Sequence, residues 1–186
     1  IASAHLNCVC HRCQGPRRPG ISLLGRFTLS WGPMERSLFM LGTHPTLSLA
    51  ELWALSGRFG QPWQPTNVDS AFIIMPWREG PAHNVFDASA GMIRLGTVFA
   101  EGGKAADPIP AIVAHLRKRS GRVIFGLSGL GKGGMSLREV QTMGLTVKEQ
   151  LIESGRAVRF VFGREPVLSA ASVSKNHLLN RGMEVV

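Results

Sequence analysis

The chain has 186 residues, of which 44% are hydrophobic, so it can build one ordinary domain or two small ones around a core. No stretch approaches the roughly 18 consecutive apolar residues of a membrane-spanning helix, and we therefore expect no membrane partner. Because 21 Lys and Arg stand against 12 Asp and Glu, the formal charge of +9 favours a polyanionic partner such as nucleic acid.

Residues 1–33 differ in composition from the rest of the chain. They contain four Arg and no acidic residue, and their "GPRRPG" stretch is incompatible with a helix or a strand. We predict that they form a disordered or non-native tail before the folded unit. An acid-free, Arg-rich transit peptide is the alternative.

The same segment holds side chains that could bind a metal, namely His5, Cys8, Cys10, His11 and Cys13. The Cys-x-Cys-x-x-Cys spacing lacks the second, separate ligand pair of a zinc ribbon or finger, so we predict no metal site. A zinc-stapled interaction module stays as an alternative. The absence of Cys beyond residue 13 fits a reducing compartment and predicts a cytoplasmic protein.

Residues 34–105 alternate strand and helix patterns and predict a first unit. A strand over residues 36–42 precedes a helix in which Ser48 and Glu51 have the spacing of a capping box and Gly57 marks the end. A second strand at residues 70–75, a short helix or turn at 84–91 and a third strand at 92–100 complete the unit.

Residues 106–186 predict a second unit, which begins after the breaker "EGGKAADP". Asp107 and Pro108 can start a helix that carries an apolar stripe and stops at Gly121.

A longer helix follows, for which Ser136 and Glu139 have the spacing of a capping box. Its apolar face continues across Gly144 and the helix ends at Gly155. The remaining predicted elements are strands at 122–128, 157–163 and 183–186, and a helical segment at 168–182.

The Gly-rich stretch "FGLSGLGKGGMS" at residues 125–136 resembles parts of three catalytic or phosphate-binding motifs. A Walker A loop needs Ser or Thr where Gly133 stands. A nucleophile elbow needs Gly two places after Ser128, where Leu130 stands. Neither motif is complete.

The third motif, the dinucleotide fingerprint, is matched by Gly129, Gly131 and Gly134. Its helix would begin within the glycines, whereas the capping box predicts a start at Ser136, and no acid ends the next strand at the required distance of about 20 residues. A strand-to-helix turn is therefore favoured, and a small nucleotide-binding enzyme that uses these three glycines is the alternative function.

Two longer stretches resemble the THUMP-containing tRNA guanine N2-methyltransferases. "FMLGTHPTLSLAEL" at 39–52 is similar to the opening of that family. Residues 125–186 are similar to its series of a strand, a GLS turn, a Ser-capped helix, an RFV strand and a KN-LL motif. The resemblance covers roughly residues 35–186. It implies an α+β fold, with a ferredoxin-like subdomain over 34–105 and an α/β THUMP domain over 106–186 that is incomplete at its C-terminal end.

The resemblance also implies tRNA binding on behalf of an S-adenosylmethionine-dependent methyltransferase. The family's catalytic domain carries a Gly-rich S-adenosylmethionine loop and an Asp/Asn-Pro-Pro-Tyr/Phe tetrapeptide, and the chain ends at Val186 with neither. We therefore expect no catalytic residue and no cofactor in this chain, which would be inactive alone. The methyltransferase domain would be supplied in cis or in trans.

Basic side chains concentrate in the second unit, where a THUMP surface would meet phosphates: Arg117, Lys118, Arg119, Arg122, Lys132, Arg156, Arg159, Arg164, Lys175 and Arg181. Among these we predict Lys132, Arg159 and Lys175 as phosphate contacts. Asn176 would add a hydrogen-bonding amide and Ser172 a further polar contact, and the pair Lys175 and Asn176 matches the family's KN. Such a site would recognise the shape and backbone of folded RNA.

Overall fold

The computed structural model of the chain describes residues 5–11, 35–102, 107–131, 134–178 and 180–186, with the backbone alone at 5–11, 101 and 102. Its strands are β1 (His5–His11), β2 (Arg36–Leu41), β3 (Asn67–Val68), β4 (Phe72–Met75), β5 (Met92–Gly102), β6 (Val123–Leu127), β7 (Val158–Val161) and β8 (Met183–Val185). Its helices are α1 (Pro45–Arg58), α2 (Glu79–Asp87), α3 (Ile109–Arg117), α4 (Leu137–Glu153) and α5 (Ala170–Lys175).

The described residues form a mixed α+β fold on one eight-stranded sheet, in the order β3-β4-β2-β5-β1-β8-β6-β7. From β2 to β5 the elements follow as strand, helix, strand, strand, helix, strand, and every neighbouring pair of these strands is antiparallel. In the other half of the sheet, β6 runs parallel to both β7 and β8. No helix in the described ranges combines the length and the apolar character needed to cross a membrane.

The strand β1 joins the two halves, since it pairs antiparallel with β5 on one side and with β8 on the other. The prediction that residues 1–33 form a tail is therefore wrong for His5–His11. Residues 12–34 and the side chains of β1 lie outside the described residues, as do residues 103–106, where the predicted boundary between the units falls.

The strand β2 is buried on both faces because an apolar cluster packs on each of them. Phe39 packs with Leu52 of α1 on one face. On the other face Leu38 and Met40 belong to a cluster against which Leu130 and Val186 of the second half pack. The continuous apolar run of this strand thus reflects two separate cores.

The helix α4 follows its sequence signals closely. The Ser136 hydroxyl accepts the Glu139 N–H at 3.3 Å and the Glu139 carboxylate accepts the Ser136 N–H at 2.7 Å, which confirms the capping box. Gly144 lies against the ring of Phe160, since a β-carbon there would come within 2.0 Å of it. Beyond the helix, Gly155 adopts a φ of +79°, a left-handed conformation that glycine favours.

Two other helices differ from their predicted extents. The second helix of the first unit, α2, begins at Glu79 rather than near residue 84. Among the described residues of the segment 168–182, which exclude residue 179, the helix covers Ala170–Lys175, and the chain turns at His177 with a φ of +54°.

The predicted capping box at Ser48 and Glu51 is wrong. Pro45 already begins α1, so both side chains lie inside the helix. The Glu51 carboxylate accepts the backbone N–H groups of Ala90 and Gly91 at 2.8 and 2.7 Å, and the Ser48 hydroxyl donates to the Gly91 carbonyl at 2.7 Å. The two residues clamp the loop between α2 and β5 onto α1.

Replacing Glu51 by Ala should lower the free energy of unfolding by about 2 kcal/mol, because two charge-assisted hydrogen bonds are lost. Urea denaturation measures the change. The control is Glu149→Ala on the exposed surface of α4, for which we expect a change within about 0.5 kcal/mol. Equal effects of the two substitutions would contradict the clamp.

Arg94 of β5 and Glu184 of β8 form a buried ion pair across β1. The Arg94 Nη1 lies 2.6 and 2.8 Å from the two oxygens of Glu184, and its Nη2 donates to the Leu168 carbonyl at 3.0 Å. The Ser128 hydroxyl donates to Glu184 at 2.6 Å and accepts the Leu168 N–H at 3.0 Å. Burial raises the pKa of Glu184 above its usual 4.5, and Arg94 and the Ser128 hydroxyl partly oppose this rise.

This raised pKa has a consequence for stability. Between pH 4.5 and the folded pKa the folded protein keeps a proton on Glu184 that the unfolded chain releases, so the free energy of unfolding should fall as pH rises. A comparison with a variant at this position isolates the contribution of this one group. The measured quantity is therefore the difference between the wild type and Glu184→Gln, followed by urea denaturation upward from pH 4.5. A difference that rises with pH would contradict the raised pKa.

Candidate nucleic-acid interface

Of the two predicted units, the one that contains β6, β7 and β8 carries the excess of positive charge. Residues 107–186 hold 12 Lys and Arg against 6 Asp and Glu, residues 34–106 hold 5 against 6, and residues 1–33 add four Arg and no acid. A polyanion would therefore be attracted to residues 107–186 more than to residues 34–106.

A cationic cleft opens where α3 ends and β6 and β8 begin. It has a volume of about 420 Å³ and is lined by Leu116, Lys118, Arg119, Ser120, Arg122, Val123, Ile124, Arg181 and Met183. All four cations are exposed, and the lining contains no acidic residue. Among the described residues, none of the four forms an ion pair with a carboxylate.

Two arginines hold the backbone around the cleft. The Arg156 Nη2 donates to the carbonyl of Arg119 and, at 2.9 Å, to that of Gly121. The Arg119 Nη2 donates to the carbonyl of Gly182 at 3.1 Å. Because these three carbonyl oxygens already accept hydrogen bonds from guanidinium groups, their repulsion of an incoming anion is reduced.

The predicted residues Arg159 and Asn176 lie together beside α5. The Arg159 Nη2 donates to the Asn176 Oδ1 at 2.7 Å, and the Asn176 Nδ2 donates to the Ser172 carbonyl at 2.9 Å. The Asn176 amide therefore orients Arg159 and is not a free phosphate contact. Lys175 is exposed in the last turn of α5, and Lys132 lies outside the described residues.

The cleft and the Arg159 pair are neighbours in the sheet. Arg159 of β7 stands in register with Ile124 of β6, and Ile124 lines the cleft. We refer to the resulting surface as the basic face, which consists of Lys118, Arg119, Arg122, Arg159, Lys175 and Arg181. All six belong to the basic residues of the second unit, but only Arg159 and Lys175 are predicted from the sequence as phosphate contacts. The run "RKRSGR" at 117–122 is the signal that points to the cleft.

Ser172 belongs to a second cavity of about 480 Å³, lined by Phe162, Gly163, Arg164, Glu165, Val167, Ser169 and Ser172. Its hydroxyl accepts a hydrogen bond from that of Ser169 at 3.1 Å, and Ser169 also caps α5. The structure therefore separates the Ser172 side chain from the cationic cleft.

The Gly-rich loop has a packing role. The Gly129 N–H donates to the Pro166 carbonyl at 2.9 Å, and the Gly134 N–H donates to the Gly131 carbonyl at 3.1 Å, so neither amide is free to hold a phosphate. Leu130 packs against the second face of β2 and β4. These contacts favour neither a nucleotide nor S-adenosylmethionine at this loop.

No protein-family model, curated protein or solved structure matches the chain.

A turn at His177 ends the segment after α5, and it separates Asn176 from Arg181 along the chain. The His177 N–H donates to the Ser174 carbonyl, and the next N–H, that of Leu178, donates to the Val173 carbonyl, both at 3.0 Å. This pattern ends a helix with one residue in the left-handed region, a position at which glycine is usual.

Replacing His177 by Gly should raise the free energy of unfolding by about 1 kcal/mol, because glycine adopts a positive φ without strain. The matched control is Ser174→Gly inside α5, which should lower it by about 0.5–1 kcal/mol. Urea denaturation distinguishes the two. A loss of stability in both variants would show that the His177 side chain is needed at this turn.

Proposed function

We propose that this chain binds RNA through the basic face and that its substrate class is tRNA. The observation that carries this proposal is the cationic cleft, in which four cations and no acid surround one cavity. Such a surface is suited to phosphate, because guanidinium groups form paired hydrogen bonds with phosphate oxygens. Contacts of this kind set the position of a nucleic acid without reading its bases.

The order of strands and helices supports the proposed pair of subdomains, ferredoxin-like and THUMP. The pattern from β2 to β5, with spatial order β3-β4-β2-β5, is the connectivity expected of a ferredoxin-like subdomain. The parallel strands β6, β7 and β8 with their helices are compatible with the expected THUMP domain.

In this proposal the chain holds tRNA, in the cytoplasm, for an S-adenosylmethionine-dependent methyltransferase domain supplied in cis or in trans. The support for this part is the family resemblance over residues 35–186. The chain's own role is binding and orientation. No methyl-transfer step is assigned to its residues.

Replacing Arg122 and Arg181 together by Ala should weaken tRNA binding at least tenfold at low salt. It should also make the slope of log affinity against log salt concentration shallower by about 2, one unit for each lost phosphate contact. Fluorescence anisotropy with labelled tRNA across a salt series measures both quantities.

The control variant is Arg138→Ala, which removes another exposed cation at the start of α4, a helix that follows the carboxyl end of β6 and so lies away from the cleft at its amino end. It should leave the affinity and the salt slope nearly unchanged. If the control loses as much affinity as the double variant, the binding is diffuse and the cleft has no special role. If the wild type does not bind tRNA, the proposed function is wrong.

A further inference from the structure

The concave shape of the cationic cleft restricts the kind of phosphate that it can take. The phosphates of an RNA helix lie on a convex surface, whereas the cleft is a cavity of about 420 Å³, which is the size of a small-molecule site. An isolated or terminal phosphate can enter such a cavity. A phosphate within a duplex can approach only its rim.

The charge in the cleft also exceeds what one backbone phosphate requires. A phosphodiester carries one negative charge, and a terminal phosphate monoester carries about −1.5 to −2 near neutral pH. Lys118, Arg119, Arg122 and Arg181 line the same cavity, and Ser120 beside them carries a hydroxyl that can donate a hydrogen bond.

Stabilisation of the helix dipole of α3 explains only two of the four cations that line the cleft. Lys118 and Arg119 follow the carboxyl end of α3, where cations stabilise the helix dipole. Arg122 comes from the turn before β6, and Arg181 from the turn before β8, so the dipole of α3 does not explain them. Within the described residues neither of them pairs with an acid.

We infer that the cationic cleft is a binding site for a dianionic phosphate monoester, and that in the RNA this group is the 5′-terminal phosphate. The assignment to the 5′-terminal phosphate of RNA rests on the proposed function. Processed RNA carries its monoester at the 5′ end, and the cleft would therefore fix the end of the molecule and its register on the basic face. The same chemistry occurs in free nucleoside monophosphates, which are the alternative source of the group.

The test compares two RNA hairpins of identical sequence, one with a 5′-phosphate and one with a 5′-hydroxyl, by fluorescence anisotropy with a label placed away from the 5′ end. The wild type should prefer the phosphorylated hairpin by about tenfold, the contribution of one set of charge-assisted hydrogen bonds. In the double variant Arg122→Ala and Arg181→Ala this preference should disappear. It should persist in Arg138→Ala.

A second measurement adds adenosine monophosphate to the protein without RNA and follows thermal unfolding. Stabilisation of the wild type but not of the double variant supports the monoester site even if neither hairpin binds, and a free nucleotide is then its source, while the tRNA measurement decides the proposed function separately. If both hairpins bind equally well and adenosine monophosphate gives no stabilisation, the monoester site is wrong while RNA binding stands. Folding of each variant is checked by circular dichroism, and single substitutions replace the double variant if it unfolds.

Discussion

The buried ion pair between Arg94 and Glu184 constrains the rest of the structure, because a carboxylate with no exposed surface must be compensated inside the protein. The compensation comes from parts of the chain that are far apart. Arg94 belongs to the first half of the sheet, Ser128 stands at the start of the Gly-rich loop, and the Leu168 backbone leads into α5. The pair thus ties both halves together on either side of β1. Its hydrogen bonds also hold Ser128, before the Gly-rich loop, and Leu168, before α5, and α5 carries one side of the basic face.

The two ends of the parallel strands β6, β7 and β8 serve different purposes. At the carboxyl end of β6 the Gly-rich loop turns inward, seats Leu130 on the apolar face of β2 and β4, and uses two of its amides in internal hydrogen bonds. At the amino ends of β6 and β8 the chain presents cations to the surface. The motif with the strongest resemblance to a nucleotide site is therefore a packing element, and the more plausible anion site has no named motif.

The proposed binding mode follows from how the basic face is held. Arg119 and Arg156 are engaged with backbone carbonyls, and Arg159 is oriented by Asn176, so several guanidinium groups are positioned before any ligand arrives. Preorganised groups lose less conformational entropy on binding than free side chains do. The near balance of charge over residues 34–106 gives a polyanion little attraction there compared with residues 107–186. In the proposed function, such a face would hold an RNA in one orientation without reading its sequence.

The sequence by itself determined those elements whose signals are local. The start of α4 at its Ser136 capping box, its end before Gly155 and the apolar run of β2 all depend on hydrogen bonds, backbone conformation or side-chain types within a few residues. Only the tertiary structure decided which groups Ser48 and Glu51 bind. Their spacing is that of a capping box, but in the folded protein both side chains form hydrogen bonds with backbone groups about forty residues away. The Arg94–Glu184 pair joins residues 90 positions apart, and the cleft likewise brings together separate segments. A side chain's type and spacing show which contacts it can make, but its partners are chosen by which strands become neighbours in the sheet.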